Sequence, residues 1–527
     1  MKSSATRRLG AALTATNFLL AGLACASLVL YRLGLAANRA GDIVWFICVA
    51  LGQSVLYLIA AWLVLRSAPA RSTLLITLVF ATLFRLSILF APPYLSDDIY
   101  RYVWDGRVQA ARINPYRYVP ADDALFGLRD EAIYPKVNRR DYAHTIYPPV
   151  AEAIYLGTTR LSESVTWMKA TMVLFEAIAC WALVSLLASF GWPRQRVLIY
   201  AWSPLAVWEF AGSGHVDAAA IAFIALALVM HRRRMETAAG VALGCATLVK
   251  LFPLVLLPAF WERRRERPHP AGVPSAAAAL GWPDGRAAGI PAGESTSNSN
   301  SGQDHQHAVL RFTLAFASTI LVGYLPYLSV GVKGVLGFLL GYAKERGLVS
   351  GEQFYLLDLA RRALHLPNLP NAAFVVFSVL VLCGIAAIGR SAKRKGRRAS
   401  SESGKAMRAQ SEATGNQVLP EQDFSSGNTE GLAYVIRAFA LATAFTILLA
   451  PHFSWYFAWL VPFLCFLPEA PLLYLTVASF LLYGTWLGDS PDQMFALNSY
   501  LYVGCAVIGA ISIWIRRHEW EKDHFTL

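Results

Sequence analysis

Two adjacent acids, Asp97 and Asp98, stand where an apolar run gives way to "YLSDDIYRYVWDGRVQAARINPYRYVP", Tyr94 to Pro120. A carboxylate at a membrane surface can take a proton from a hydroxyl. On a helix entered at Asp98, the residues Asp98, Tyr102, Asp105 and Gln109 share one face by their i, i+4, i+7 and i+11 spacing. Asp97 and Arg101 form an i, i+4 pair on the neighbouring face, and Arg101 also reaches towards Asp105. Acids beside a membrane span are often simply solvated, and Tyr and Trp mark the interface. The density of aromatic and cationic side chains around this pair suits a sugar ring as well.

Three further stretches carry polar groups in apolar surroundings. In "WEFAGSGHVDAAA", Trp208 and Glu209 end one apolar run and His215 and Asp217 start the next. In "APHFSWYFAWLVP", His452, Trp455, Tyr456 and Trp459 crowd the end of another. A tight hairpin and an aromatic belt account for these patterns as well as a pocket wall does. In "CATLVKLFPLVLLP", Lys250 is flanked by apolar residues. A buried ammonium needs an anion; Asp217, Glu209 and a ligand phosphate are the candidates.

These stretches have to be positioned by membrane helices. Of 527 residues, 56% are hydrophobic and only 15% charged, and the mean hydropathy is +0.43. Apolar runs of about 20 residues recur along the chain, as an all-α polytopic membrane protein requires. The net charge of +13 does not indicate nucleic acid, because the basic residues form short blocks between apolar runs. The seven cysteines lie inside apolar runs without CxxC spacing, so neither a disulfide framework nor a metal site is indicated.

The basic blocks set an expected path. Spans fall at 9–31, 43–65, 72–92, 165–190, 196–211, 214–231, 309–331, 372–390, 432–450, 453–468, 471–488 and 497–515. The run 238–260 has basic flanks on both sides and is interrupted by Lys250 and Pro253, which predicts a re-entrant pair of half-helices. The expectation is about 12 crossings plus this pair. It divides the chain into N-terminal spans (1–92), an external loop with interfacial helices and a short embedded helix near 148–161 (93–164), and core spans (165–262). Cytoplasmic low-complexity loops follow at 263–308 and 391–431, alternating with a span (309–331), an external loop (332–371) and a span (372–390). C-terminal spans occupy 432–527.

"SDDIYRYVWDGR", "NPYRYVP", "TIYPPVAEAIY", "GSGHVDA", "GVALGCATLVKLFPLVLLP" and "PHFSWYFAWLVP", spread over residues 96 to 462, resemble the GT-C glycosyltransferases. More specifically, they resemble polyprenyl-phosphate-mannose-dependent mannosyltransferases, including bacterial α-mannosyltransferases and the catalytic subunit of GPI mannosyltransferase I. The resemblance implies a GT-C-like fold in a bacterial plasma membrane and an active site on the external face. It implies transfer of a hexose, mannose first, from a polyprenyl-phosphate donor to a glycan or glycolipid hydroxyl with inversion. On it, Asp98 is the general base and Asp97 its neighbour or substitute. Arg101, Tyr102 and Asp105 line the same helix, His215 and Asp217 the sugar site, Tyr456 the same pocket, and Lys250 and His452 the lipid phosphate. It fixes no cofactor and leaves room for a divalent cation, Mg or Mn. Two features depart from the family pattern: Val216 stands where relatives often have Asn, and the acidic loop follows the third span. A lipid-linked-sugar transporter, or a GT-C enzyme for another sugar, is the alternative reading.

Overall fold

The computed structural model describes residues 4–261, 297–352, 354–366, 369–388, 430–488 and 490–525. Most of 263–308 and nearly all of 391–431, the two low-complexity stretches, lie outside the described residues. The described residues are mainly helical, and no strand occurs among them.

Helices α1 (Ser4–Ala40), α2 (Ile43–Arg66) and α3 (Arg71–Leu89) form the first group. The α1–α2 turn is set by Gly41 at φ +71° and by Asp42, whose carboxylate accepts from the Trp45 backbone N–H at 2.9 Å. Pro92 and Pro93 prevent α3 from continuing. After the acidic turn come α4 (Asp98–Ala110) and, past an irregular segment, α5 (Pro149–Thr159), the expected short embedded helix. Helix α6 (Val165–Ser189) is capped by the Ser164 hydroxyl, 3.1 Å from the Trp167 N–H.

The run expected to cross at 196–211 is not one helix. Short turns at Arg194–Val197 and Leu198–Ala201 stop at Trp202, because Pro204 supplies no N–H to a continuous helix. A π-helical turn, Val207–Gly212, follows. The segment is almost wholly buried, so its irregular backbone is shielded by protein. Helices α7 (Asp217–Arg232) and α8 (Glu236–Val249) come next. Helix α8 ends at Lys250, whose backbone is extended at φ −144°, and a 3₁₀ segment, Phe252–Trp261, returns. This is the break expected at Lys250.

Helix α9 (Ser297–Tyr324) starts upstream of the expected 309. It leads through short turns to the helix Leu339–Glu345, then α10 (Tyr355–Ala363) and α11 (Asn371–Ile388). Helix α12 (Ala433–Leu449) ends at Ala450 in the left-handed conformation, φ +48°. The 3₁₀ turn Ser454–Leu460, helix α13 (Ala470–Ala478) and helix α14 (Pro491–Phe525) complete the fold.

Among the described residues, eight helices are long and apolar enough to cross a membrane. The runs at 196–211, 214–231, 432–450 and 453–468 are not among them. All four are short or broken, and they carry many of the most deeply buried side chains.

Helices α8 and α9 touch through Gly240 and Gly244, one turn apart. A Cβ on Gly240 would fall 2.3 Å from the Phe312 carbonyl oxygen, so only glycine permits this backbone approach. Gly240→Ala is therefore expected to destabilise by about 1–3 kcal/mol. Gly157→Ala in α5, where nothing lies within 4 Å, is the control and should not lower the melting temperature. Equal melting of both variants in detergent would show that α8 and α9 do not meet at Gly240.

Candidate active site

A cavity of about 730 Å³ opens beside the acidic turn. Its floor and walls come from the 93–101 segment, the 138–148 segment, the break at Lys250–Phe252, the helix Leu339–Glu345 with Arg346, and the aromatic 445–459 stretch. The lining combines apolar side chains, among them Leu251, Phe252, Leu339, Phe445, Leu449 and Trp459, with the polar groups of Asp97, Asp98, Asn138 and Arg139.

Asp97 occupies the N-cap position of α4 but does not cap it. Asn138 Nδ2 instead bridges the two acids, donating to Asp97 Oδ1 at 3.0 Å and to Asp98 Oδ1 at 2.8 Å. Burial pushes the Asp97 carboxyl above its usual range, partly offset by the Asn138 hydrogen bond. The Asp98 side chain stays 22% exposed, enough for a ligand to reach it.

Arg101 lines the cavity but does not pair with Asp97, as its spacing allowed. Its guanidinium turns to Asp105, with Nε at 2.8 and 3.0 Å from the two oxygens, and to the Ala143 carbonyl at 3.1 Å. Asp105 is thus buried beneath the cavity. Tyr102 is buried too, stacked on Tyr155 at 4.6 Å and edge-on to Tyr147 at 5.0 Å. Gln109 completes the expected face by donating to Glu152 Oε2 at 2.7 Å. Neither Tyr102 nor Asp105 is a lining residue; both lie on the buried face of α4.

His215 and Asp217 lie behind the cavity as well. His215 stacks on Trp455 with centroids 4.1 Å apart, and its Nδ1 is 4.0 Å from Asp98 Oδ2. Asp217 pairs with Lys250, Nζ to Oδ2 at 3.1 Å. Lys250 also stands 5.2 Å from the centroid of the Tyr456 ring, and both line the cavity. His452 does not line it, although Pro451 and Phe453 do.

Charge is unevenly spent on the cavity wall. Arg101 is bound by Asp105, Arg139 by Glu345 at 2.8 Å, and Lys250 by Asp217. Arg346 stacks on aromatic rings, 5.0 Å from Tyr342 and 4.4 Å from Phe453, and its buried Nε has no hydrogen-bond partner among the described residues, although its charge also reaches Glu345. Sequence reasoning did not single out Asn138 or Arg346, because tertiary packing alone brings their loops to the acidic turn. Lys169 was also missed. It is fully buried and donates to the Ala91 and Ile88 carbonyls at 2.8 and 3.2 Å, holding the end of α3. Its signal was a charge inside an apolar run, the one that also holds Glu176.

Among the described residues, no group of three or more His, Cys, Asp or Glu is arranged to hold a metal ion. The two acids share the Asn138 amide donor instead.

The all-helical fold of the described residues and its eight apolar helices are those of a polytopic membrane protein with a carboxylate-edged cavity. Residues 8–262 match the model of the MptA/B family, alpha-(1->6)-mannopyranosyltransferase, N-terminal domain. The matched stretch runs from the first helix through the acidic turn to the end of the broken segment. The chain is accordingly a GT-C membrane mannosyltransferase, an integral multi-pass enzyme. No curated protein and no solved structure matches it.

The Lys250–Asp217 pair joins the end of α8 to the start of α7. Removing either partner strands a buried charge, at a cost of roughly 3–5 kcal/mol. Lys250→Met should lower the melting temperature, and adding Asp217→Asn should recover most of the loss. A double variant that melts no higher than Lys250→Met alone would contradict this role.

Proposed function

We propose that the enzyme moves mannose from a polyprenyl-phosphate donor to a hydroxyl of a glycan or glycolipid on the external face of the membrane, with inversion. The observation that carries this reading is Asp98, presented to a cavity lined by both apolar and polar side chains. Such a cavity suits a ligand with a lipid tail and a sugar head. The family's name specifies an alpha-(1→6) bond, which calls for the primary C6 hydroxyl of an acceptor mannose.

The chemistry follows from the side chains. Asp98 takes the acceptor O–H proton as that oxygen bonds the anomeric carbon. The bond from that carbon to the phosphate oxygen breaks, and the lipid phosphate leaves with the electron pair. A direct, single displacement inverts the centre. Growing negative charge on the phosphate needs a fixed cation. Arg346, which lines the cavity and forms no ion pair among the described residues, supports that role better than Lys250, which Asp217 already neutralises. Asn138 holds Asp97 and Asp98 side by side. The helix Leu339–Glu345, pinned by Arg139 to Glu345, covers the cavity and limits water at the activated sugar.

Purified protein given radiolabelled polyprenyl-phosphate mannose and a mannoside acceptor should form labelled product. Asp98→Asn should lower turnover about 10²- to 10⁴-fold, the span typical of a general base, with donor binding retained. Near-normal turnover in both Asp98→Asn and Asp97→Asn would place the base elsewhere. Arg346→Gln should weaken donor binding about tenfold or more while Lys250→Met leaves it unchanged in whatever fraction folds. The opposite order would return the phosphate to Lys250. For the membrane orientation, a single cysteine at exposed Ser350, in a cysteine-free background, should label from outside.

A further inference from the structure

Behind Asp98 lies a line of polar groups that transfer does not directly touch. Glu209 sits in the π-helical turn Val207–Gly212 and is fully buried. Its Oε1 accepts from the Tyr483 hydroxyl at 2.6 Å. Its Oε2 has no hydrogen-bond donor and lies 3.5 Å from His215 Nε2. The other ring nitrogen of His215, Nδ1, faces Asp98 at 4.0 Å. A fully buried imidazole thus stands between two carboxyl groups, one of them at the edge of the cavity.

The backbone holds this arrangement. The His215 N–H donates to the Glu209 carbonyl at 2.9 Å, so the turn closes on its own two polar residues. Gly214 takes φ +79°, and a Cβ there would fall 2.3 Å from Ile99 Cδ1, on the helix that begins at Asp98. Trp455 stacks on the ring at 4.1 Å and stops it from swinging away. π-turns tend to occur at functional positions.

We propose that Glu209 and His215 are positioning residues that share one proton between Oε2 and Nε2, so that the remaining imidazole N–H, on Nδ1, points at Asp98. The proton's position along the Glu209–His215 edge does not matter to this result. On the glutamate, Nε2 accepts and neutral His215 carries its hydrogen on Nδ1. On the imidazole, both nitrogens carry hydrogens. In either case Asp98 receives a donor that favours its ionised form, the form able to accept the acceptor's proton. The 4.0 Å gap would close to hydrogen-bond length when substrate fills the cavity, since unliganded catalytic contacts are often long. The inference rests on Asp98 being the base.

The test is the pH dependence of mannosyl transfer, measured on the full-length protein in nanodiscs. The other charged groups near the ring are Asp217 and its partner Lys250, together with Lys169, whose Cγ packs against Gly214. None is altered in the variants used. His215→Leu should move the acid limb of kcat upward by about one pH unit, a tenfold loss below it and little loss above. His215→Asn should restore the limb, because its side-chain amide occupies the place of Nδ1 and can donate. Glu209→Met, which releases Nε2, should move the limb as His215→Leu does, and the double variant should add nothing. Melting temperatures identify variants that fail to fold, and the Asn variant then carries the decision. A uniform loss at every pH, or an Asn variant no better than Leu, would overturn the proposal. If Asp98→Asn keeps its turnover, the base assignment fails instead, whatever the His215 profiles show.

Discussion

Backbone N–H and C=O groups cannot be left bare in hydrocarbon, and this constraint shapes the whole molecule. Regular helices meet it by themselves. The irregular pieces, at 194–216, 250–261 and 451–460, meet it only because other helices surround them. Those same pieces and the segment after α3 carry the polar groups of the site. A straight helix could present Lys250 or His215 only to a neighbour's flank or to lipid. A broken one turns them inward, towards Asp98 and the cavity.

The second requirement is pairing of buried charge. Lys250 meets Asp217, Arg101 meets Asp105, and Arg85 meets Glu176 at 2.6 Å between α3 and α6. Each pair links elements that flank the site, or stiffens one of them. Arg85 also donates to the Ala201 carbonyl at 2.7 Å, which satisfies the end of a short helix that has no regular continuation. Lys169 serves the end of α3 in the same way. Pairing and backbone satisfaction are therefore one network. Its inner end supports the chain that turns at Asp97 and Asp98.

Much of this was legible in the residues. The amphipathic spacing from Asp98 to Gln109 gave α4, and Pro148 and Pro149 marked the start of α5. A lysine with a proline close behind it, inside an apolar run, marked the break at 250. Other features could not be read locally. Spacing permits Asp97–Arg101 and Arg101–Asp105 equally, and only the Ala143 carbonyl, from a distant loop, selects the second. Hydropathy alone reads 196–211 as a span, since a buried irregular segment is as apolar as a crossing one. Pro204 was the available sign that it is not one continuous helix. Asn138 and Arg346 sit in loops of ordinary polarity, and nothing near them in sequence signals a carboxylate pair or an aromatic wall.

On the proposed reaction, the place of the two acids follows from the lipid tail of the donor. A lipid phosphate stays near the interface while its tail stays in hydrocarbon, so the bond to be broken has a fixed depth. The acceptor arrives from water. A base buried deeper would lose its charge, and one further out would be levelled by solvent. Asp98 is a compromise: exposed towards the cavity, held by Asn138 on one side and approached by His215 on the other. The covering helix Leu339–Glu345 then has a physical task. It limits the water around the sugar when both substrates are present, where electrostatic contacts are strongest. Its anchors to the 138–142 segment are several: Arg139 pairs with Glu345 at 2.8 Å and lies over the Tyr342 ring at 5.6 Å, and Tyr142 packs edge-on against Phe338.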